Sequence, residues 1–413
     1  MRGLFFIVFL VALFIFLDWY TYRFLKDFII RFSKKARKII MGVFWGLVIF
    51  TVGGILLILA GFPLIISLAQ RQFILVVIFA NYFGKIMALL FLVPDDFRRM
   101  IKWFRNKFKK DTGLKGKPIP RSEFLSKAAL VTATLPAVSM SFGILSGAHD
   151  YRIRHRTLSF PNLPSGFDGF KIAQISDIHS GSFFNKKAVI GGVEQIMKEK
   201  PDAVFFTGDL VNEETKEVND YINIFDKVKA PHGVFSTLGN HDYGDYRGWS
   251  SPAAKQKNMD DMYEAHRLLG WDLLMNENRI LGKDGESIAI IGIENWGTGR
   301  FPKYGKLHEA SEGTQDAAVK LLLSHDPSHW DAEVRQKYPD IDMMFAGHTH
   351  GFQFGVEVGD FKWSPSQYVY KQWADLYEEG QQKLYVNRGF GFIGFPGRIG
   401  IAPEITIFEL KKA

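Results

Sequence analysis

The stretch MMFAGHTH, residues 343–350, ends an apolar run with two histidines that lie two positions apart. In an extended segment, residues two apart point to the same side of the chain. His348 and His350 can therefore present two imidazoles to one cavity. Because sites in α/β sheets lie beyond the carboxyl ends of strands, the stretch predicts a buried strand that ends at a functional edge.

Four upstream apolar runs also end in side chains that can bind metal. The runs are KIAQIS (171–176), AVFFTG (203–208), GVFSTL (233–238) and VKLLLS (319–324). They lead into Asp177 and His179, into Asp209, into Asn240, His241 and Asp242, and into His325. Nitrogen and oxygen ligands without thiolate suit Mn, Fe, Zn, Co or Ni rather than calcium, and we favour Mn. Six or seven ligands exceed one tetrahedral ion and predict two divalent ions about 3.5–4 Å apart.

Helical patterns separate these runs along the chain. Residues 186–199 and 216–229 each carry an apolar stripe at helical spacing, and SIAIIGI (287–293) reads as a further strand. Alternation of strands and helices predicts a largely parallel or mixed sheet covered by helices. The segment 243–272 follows the third run directly, and either forms a wall of the site or simply connects two elements.

The blocks D-x-H, GD, GNHD, H and GHTH, in this order over residues 170–351, resemble the calcineurin-like metallophosphoesterase superfamily. The ending YVNRGFGFIGFPGRIGIAPEITIFEL (385–410) is similar to the membrane-anchored bacterial branch of that family, as is the hydrophobic N-terminal extension. The resemblance implies a metallophosphoesterase catalytic domain over residues 151–413, folded as a two-sheet β-sandwich flanked by helices. It implies a metal-dependent phosphoric ester hydrolase. Phe352 departs from the branch, which often has glycine there, and this affects the shape of the pocket.

The resemblance also implies a role for each residue of the blocks. Three residues would hold the first metal ion: Asp177, His179 and His350. Three would complete the second: Asn240, His325 and His348. Asp209 would bridge the two ions, and a hydroxide between them would attack phosphorus. His241 would protonate the leaving group as general acid, and Asp242 would orient His241.

The Gly-rich ending offers further candidates. Arg388 and Arg398 are expected to clamp a phosphate, and the alternative is that they are rim charges. The aromatic residues Phe390, Phe392 and Phe395 either line a lipid-side rim or pack in the core. The histidines outside the five blocks are expected on the surface or in loops: His149, His155, His232, His266, His308 and His329.

Charge is distributed unevenly along the chain. Residues 1–127 carry 21 Lys and Arg against 6 Asp and Glu, a net charge of +15, whereas residues 128–413 carry a net charge of −7. The basic residues flank long apolar runs, which indicates a membrane and not a nucleic-acid partner. The chain has no cysteine, which excludes disulfides, thiolate catalysis and Cys-ligated zinc.

Residues 1–150 are predicted to form a membrane region of three to four transmembrane helices. The expected spans are about 3–22, 39–62, 73–93 and 128–148. The fourth segment contains Pro136, and its alternative is a linker on the membrane surface. Lys85 lies inside the third span, where a charge is costly unless it is paired. Asp18 is a candidate partner, and the alternative is that Lys85 snorkels towards the headgroups.

The positive-inside rule sets the orientation of these helices. Seven Lys and Arg lie between Arg23 and Lys38, ten lie between Arg98 and Arg121, and Arg71 is alone in the loop between the second and third spans. The two basic loops are therefore expected in the cytoplasm. If the fourth segment spans, the catalytic domain lies outside the cytoplasm, anchored to the cytoplasmic (inner) membrane as a multi-pass protein.

These observations together predict a membrane-anchored, dinuclear-metal phosphoesterase. It would hydrolyse a phosphodiester, or a phosphomonoester or pyrophosphate, and its substrate could be a phospholipid or another lipid-linked ester. One alternative is an enzyme like the UDP-diacylglucosamine pyrophosphatases of lipid A synthesis, which needs a cytoplasmic active site. Another is a sensor that binds metal or phospholipid without catalysis. The sequence gives no indication of the oligomeric state.

Overall fold

The computed structural model describes residues 2–59, 68–108, 121–283 and 285–413. The chain divides into two compact units, Met1–Phe142 and Gly143–Ala413. The first contains the long apolar helices, and the second contains the strands.

Long helices make up most of the described residues of the first unit. They are α1 (Arg2–Phe28), α2 (Lys34–Leu59), α3 (Leu68–Phe108) and α4 (Glu123–Leu145), the last of which extends into the second unit. Three segments are long and apolar enough to cross a membrane by length and composition, namely Lys34–Ile58, Gln70–Lys107 and Glu123–His149. The predicted span 3–22 lies in α1, where several side chains are not described. Residues 60–62 of the predicted span 39–62 lie outside the described residues.

Lys85 and Asp18 form an ion pair within this first unit. Lys85 Nζ lies 2.5 Å from Asp18 Oδ1, and the Tyr82 hydroxyl donates to Asp18 Oδ2 at 3.0 Å. Because an unpaired charge in hydrocarbon is costly, the pair satisfies both groups and links α1 to α3. The partner expected from the sequence is the observed one.

The second unit is built on two six-stranded sheets. Its strands are β1 (Arg152–Phe160), β2 (Lys171–Ile175), β3 (Ala203–Thr207), β4 (Val234–Thr237), β5 (Asp272–Leu273), β6 (Glu277–Lys283), β7 (Glu286–Gly292), β8 (Lys320–Leu323), β9 (Met343–Ala346), β10 (Val356–Val358), β11 (Phe361–Trp363), β12 (Asp375–Glu379), β13 (Gln382–Val386) and β14 (Glu404–Lys412). One sheet has the order β1-β14-β2-β3-β4-β5 and the other β12-β13-β9-β8-β7-β6, while β10 and β11 form a separate hairpin. The predicted two-sheet sandwich is confirmed.

Aromatic side chains from both sheets fill the space between them. The ring of Phe205 on β3 lies 5.1 Å from that of Phe345 on β9, and Phe345 lies 5.1 Å from Phe408 on β14, both edge to face. All three residues are fully buried. Burial of such large apolar surfaces is the main stabilising term of the sandwich.

Helices cover the outer faces of the sheets. They are α5 (Lys186–Lys198), α6 (Ile222–Phe225), α7 (Pro252–Leu269), α8 (Leu307–Ala310) and α9 (Arg335–Lys337). Helix α7 begins at the N-cap Ser251, whose hydroxyl accepts the Ala254 N–H, and ends at Gly270 with φ 73°. The helix predicted over 216–229 is wrong, because a 3-10 turn at Thr215–Val218 is followed only by the four-residue α6.

Parallel pairing brings the functional edge together. Strands β2, β3 and β4 are parallel neighbours in one sheet, and β8 and β9 are parallel neighbours in the other. The carboxyl ends of parallel neighbours lie at the same edge of a sheet. The five blocks found in the sequence follow these five strands.

Candidate metal centre

Two groups of buried carboxylate and imidazole side chains lie at this edge. One contains Asp177, His179 and His350, and the other contains Asp209, His325 and His348. Within each group, one ligand atom per residue lies within 4.8 Å of the others. The structure thus brings together six of the seven residues expected to ligate metal: the whole first set, and the expected bridge Asp209 with two of the three residues of the second set.

The Asp209 carboxylate lies between the two groups. Its Oδ2 is 3.1 Å from His325 Nε2 on one side and 3.5 Å from His179 Nε2 on the other. In the first group, His350 Nε2 is 3.2 Å from Asp177 Oδ1 and 3.0 Å from His179 Nε2. A single carboxylate in contact with both imidazole sets has the geometry that a bridging ligand requires.

The ligand-bearing residues have an unusual backbone conformation. Five of them have positive φ, a region that side chains other than glycine seldom adopt: Asp177 (52°), His179 (47°), Asp209 (61°), His348 (71°) and His350 (50°). Each such residue costs about 1–3 kcal/mol. The surrounding sheets must hold this strain, and strain of this kind clusters at functional sites.

Glycines in the blocks make room for the carboxylates. A Cβ on Gly239 would lie 2.2 Å from Asp209 Oδ1, and a Cβ on Gly347 would lie 2.2 Å from Asp177 Oδ2. Both distances are far below van der Waals contact. The glycines that precede Asn240 and His348 are therefore needed because a ligand that follows another strand occupies the space of a side chain.

His241 is held by a partner that the sequence did not reveal. Its Nδ1 lies 2.7 Å from the backbone carbonyl oxygen of Asn212, and its backbone N–H donates to Asp209 Oδ1 at 2.9 Å. The carbonyl can only accept, so Nδ1 carries a hydrogen. His241 lines the open cavity.

Asp242 does not orient the His241 ring, which corrects the expectation from the sequence. Its carboxylate accepts four backbone N–H groups, from Asp209 (2.9 Å), Leu210 (2.8 Å), Val211 (3.2 Å) and Gly239 (2.9 Å). It thereby ties the loop after β3 to the loop after β4. Burial and the nearby Asp209 raise the pKa of Asp242 to about 7, against the opposing effect of these donors.

Asp209, His179 and His348 are in the protonation states that bind cations. Burial alone would raise the pKa of Asp209, but His325 and His241 outweigh it and hold this pKa well below its usual range. Burial lowers the pKa of His179 and of His348, so both imidazoles stay neutral. Ionised carboxylates and neutral imidazoles are the protonation states that bind metal. Burial would lower the pKa of His325, but Asp209 outweighs it and raises this pKa to about 10, so a metal that binds there must displace the proton of His325.

Asn240, the seventh expected ligand, has an unsatisfied oxygen. Its amide nitrogen donates to the Tyr246 hydroxyl at 2.7 Å, whereas its buried Oδ1 has no hydrogen-bond partner among the described residues. A buried polar atom without a partner is costly. An amide oxygen is also a suitable ligand for a divalent cation, so the residues present fit a metal centre.

An open cavity of about 500 Å³ lies over the two groups. Histidine, aspartate and asparagine side chains form its floor, and its walls are mostly aromatic or aliphatic: Tyr246, Phe301, Phe352, Tyr370, Ile393 and Phe395. Tyr246 belongs to the segment 243–272, so that segment does contribute a wall. Phe352 has φ 50°, which gives a physical reason for the glycine that the family branch often has there.

Arg388 and Arg398 do not face this cavity, and the prediction that they clamp a phosphate is therefore corrected. Arg388 is fully buried and donates to Glu404 Oε2 and to Glu357 Oε1, both at 2.6 Å. Arg398 is also buried, and it donates to the carbonyl oxygens of residues 388, 389 and 391 behind His350. Burial lowers the pKa of Arg398 to about 10. Both guanidinium groups are used within the fold.

Sequence reasoning missed several residues that position the ligands. Tyr370 lies with its hydroxyl 2.7 Å from His348 Nε2. The Glu217 carboxylate accepts the N–H groups of Asn212 and Glu213 at 2.6 and 3.2 Å, and so fixes the loop that holds His241. Neither residue belongs to a recurring block, so no sequence signal marked them. Two histidines expected at the surface, His266 and His329, are buried.

Two family models match the chain. The model described as "Calcineurin-like phosphoesterase" matches residues 170–352. The model described as "Probable Calcineurin-like phosphoesterase, transmembrane domain" matches residues 1–148. The first covers all five ligand blocks, and the second covers the apolar helices.

Curated relatives agree with these matches. The uncharacterized metallophosphoesterase YkuE of Bacillus subtilis is 31% identical over 267 residues, which covers 64% of this chain and 87% of that protein. Phosphodiesterase YaeI of Escherichia coli is 26% identical over 302 residues, or 71% of this chain and 99% of that protein. A transmembrane protein with metallophosphoesterase domain from Danio rerio is 26% identical over 296 residues, and this chain spans 62% of its length.

Proposed function

This chain belongs to the calcineurin-like phosphoesterases, a family of metal-dependent phosphoester hydrolases, and from that premise we propose that it hydrolyses a phosphodiester at a two-metal site next to a membrane. The position of Asp209 carries the proposal, since its carboxylate contacts an imidazole of each ligand group. Phosphomonoesters and pyrophosphates share the chemistry and are the other ester classes to test. Mn is the favoured metal.

The ligands divide between two ions in this proposal. Asp177, His179 and His350 would hold the first, and Asp209 would bridge both. Asn240 would direct its unpaired Oδ1 to the second ion, together with His325 and His348. When bound, two divalent ions supply Lewis-acid activation and neutralise the charge that develops on the phosphoryl oxygens. We propose these seven residues as the ligands of the two ions.

His241 is assigned as the general acid. Its Nδ1–H bond to the Asn212 carbonyl fixes the orientation of the ring, so that Nε2 can present a proton to the cavity. That proton would pass to the leaving-group oxygen as its bond to phosphorus breaks. Asp242 acts indirectly, as a positioning residue. Its carboxylate accepts four backbone N–H groups and so holds the loop that carries Asp209.

The apolar walls of the cavity support a substrate with an apolar or aromatic part. A phosphate group would lie on the polar floor, and the ester substituent would contact side chains such as Phe301, Phe352 and Phe395. Together with the membrane region, this favours a phospholipid or lipid-linked ester. Tethering to a bilayer raises the local concentration of such substrates.

The test uses the full chain in detergent micelles, freed of metal and then reconstituted with Mn²⁺. We expect metal-dependent hydrolysis of bis(p-nitrophenyl) phosphate. His241→Ala should lower turnover about 10²–10⁴-fold, as expected for loss of a general acid, while two ions per chain remain bound. The loss should be larger for an alkyl leaving group than for p-nitrophenol, which leaves readily without a proton.

His308→Ala, at an exposed histidine of α8, is the matched control and should keep full turnover. Unchanged turnover in His241→Ala would refute the assigned acid. No turnover of any phosphate ester by the Mn-loaded chain would refute the hydrolase and favour a binding role.

We also propose that the catalytic domain lies outside the cytoplasm. The support is the charge of the loops. Seven Lys and Arg lie over Arg23–Lys38 and ten over Arg98–Arg121, whereas the loop between the second and third spans has only Arg71. A pyrophosphatase of lipid A synthesis would need the opposite side. Protease added to intact spheroplasts should digest the domain, and complete protection would contradict this orientation.

A further inference from the structure

The hairpin β10–β11 exposes its apolar face and turns its charged face towards the protein, the reverse of an ordinary surface hairpin. Val356 pairs with Trp363 and Val358 pairs with Phe361, while Glu357 pairs with Lys362 between them. Because side chains alternate across a strand, the four apolar residues share one face and the two charged residues share the other. The apolar face is outward, with Val358 71% and Phe361 62% exposed.

Contacts of the charged face fix this orientation. Glu357 Oε1 accepts from Arg388 Nη2 at 2.6 Å, and Glu357 Oε2 accepts from Arg154 Nη2 at 2.7 Å. Lys362 Nζ donates to the Ala374 carbonyl at 2.7 Å. A one-residue slip would turn the apolar side chains inward but would break all of these bonds. The exposure of valine and phenylalanine is therefore specified by the fold.

The apolar surface continues from the hairpin to the cavity. The Phe354 and Trp363 rings lie 6.4 Å apart, and Trp363 Nε1 donates to the Tyr368 hydroxyl at 3.4 Å. We define the apolar face by its exposed or half-buried members: Phe352, Phe354, Val356, Val358, Phe361, Trp363, Tyr368 and Val369. Phe352 also lines the cavity, so the face borders the entrance of the site. Exposed apolar surfaces of this kind mark interaction sites.

Backbone hydrogen bonds join this face to the end of a candidate membrane span. The Arg398 N–H donates to the Gly143 carbonyl at 3.1 Å, within the segment Glu123–His149. At the next residue, the Ile399 N–H donates to Gln353 O at 2.8 Å, and the Gly355 N–H donates to Ile399 O at 2.9 Å. The contact with Gly143 is tight, since a Cβ there would lie 2.9 Å from Arg398 O. Backbone hydrogen bonds thus link the apolar face to Gly143, where the second unit begins, within an apolar segment long enough to cross the bilayer.

We propose that the apolar face lies on the bilayer in which the chain is anchored and enters the boundary between headgroups and acyl chains. The cavity then opens at the membrane surface, where an ester headgroup can enter it without the lipid leaving the bilayer. The bilayer contact does not depend on catalysis, whereas the delivery of substrate rests on the proposed function. The exposed Asp360 at the hairpin turn limits the contact to a face-on arrangement, with the turn in the headgroup layer.

The absence of cysteine from the chain makes a direct test simple. In the Val358→Cys variant, the new cysteine is the only thiol, and an environment-sensitive fluorophore is attached to it. The labelled full chain is placed in phosphatidylcholine–phosphatidylglycerol nanodiscs. We expect a blue-shifted emission, and a loss of fluorescence when lipids with a quencher on the acyl chain are included. The matched control is Ile280→Cys, at a 51% exposed site on β6, the opposite edge strand from β12 in the same sheet.

The same quenching at Val358→Cys as at Ile280→Cys would overturn the proposal. Disulfide-linked dimers through position 358, without lipid quenching, would identify a second copy as the occupant and would overturn it as well. For the delivery of substrate, the double variant Val358→Asp with Phe361→Asp should lower hydrolysis of a bilayer-borne phosphodiester but not of soluble bis(p-nitrophenyl) phosphate. Equal loss on both esters would refute delivery, and no turnover by the unaltered chain would refute the proposed function alone.

Discussion

The catalytic domain buries charge in two places, and it treats that charge differently in each. At the metal centre, Asp177 and Asp209 face imidazoles, and Asn240 Oδ1 has no partner among the described residues. Around Arg388, the charge is satisfied internally, because Glu404 accepts from Arg388, from Tyr385 and from Thr406.

The difference teaches how a buried charge should be interpreted. Burial alone does not mark a functional group, since Arg388 is as inaccessible as Asp177. What distinguishes the metal centre is a set of ligand atoms that converge on one space, beneath an open cavity and on a strained backbone. We expect mutations at the two places to separate chemistry from stability.

The largest effect is expected for Asp209→Asn. Replacing the shared carboxylate by an amide removes the one charge that contacts both imidazole sets. Turnover should fall by at least about 10³-fold, the upper range for one electrostatic group, and affinity for both ions should weaken. Metal content by mass spectrometry and turnover of bis(p-nitrophenyl) phosphate measure the two losses. Asp260→Asn, at an exposed carboxylate on α7, is the control; retention of both ions in Asp209→Asn would contradict the bridge.

Arg388→Met should instead destabilise the fold. It leaves the buried Glu404 with only its longer ion pair, to Arg154 Nε at 3.3 Å, at an expected cost of up to about 3–5 kcal/mol in the free energy of unfolding. Turnover per folded molecule should remain, because Arg388 does not reach the cavity. Adding Glu404→Gln should restore part of the thermal stability by removing a buried charge that has lost its shorter ion pair. A variant with normal thermal stability but no turnover would bring back the phosphate-clamp hypothesis.

A smaller effect is expected for Tyr246→Phe. The Tyr246 hydroxyl holds the Asn240 amide nitrogen, and so keeps Oδ1 directed away from it. Without that bond, affinity for one of the two ions should fall about 10–100-fold, as for other groups that orient a metal ligand. Calorimetric Mn²⁺ titration measures it, with Tyr263→Phe as the exposed control. Equal weakening of both sites would contradict the assignment of Asn240 to a single ion.

His266 provides a third kind of buried polar group, neutral and outside the site. Its Nδ1 lies 3.0 Å from the Ser236 hydroxyl, and burial lowers the pKa of His266 to about 3. Below about pH 6.5 the unfolded chain binds a proton that the folded chain does not. Stability should therefore fall as pH falls, by about 1.3 kcal/mol between pH 7 and pH 5.5 from this group.

Thermal unfolding at both pH values, compared between the unaltered chain and His266→Gln, isolates this contribution, because other titrating groups are common to both proteins. The stability gap should narrow on acidification. A gap that does not change with pH would mean that the imidazole is already charged in the fold.

Much of the site was predictable because its chemistry and its strands are local in sequence. Each ligand block directly follows an apolar run, and the glycines at 239 and 347 belong to the same blocks. The hydrogen-bond partners of Arg388 could not be predicted in this way. They lie at positions 357 and 404, and the contacts depend on how three distant segments pack. The partner of His241 is a backbone carbonyl, which every residue type provides, so no residue identity signals it.

The hairpin at 356–363 illustrates the same limit. Its alternating pattern predicts two faces, but only the tertiary contacts of Glu357 and Lys362 decide which face is buried. The general rule that apolar residues turn inward would have given the wrong answer. Patterns identify elements, and long-range contacts orient them.

The pairing of β1 with β14 has a consequence for biogenesis. Arg152, just after the apolar helices, pairs in parallel with Glu404, and β14 is the sole neighbour of β1 in its sheet. The first strand of the domain therefore has no pairing partner until the ribosome has synthesised a segment about 250 residues further along the chain. During that interval the helices can insert into the membrane and adopt their orientation, because the sheet that contains β1 has not yet formed. Closure of the sheet is a late event, and such long-range pairing makes it slow.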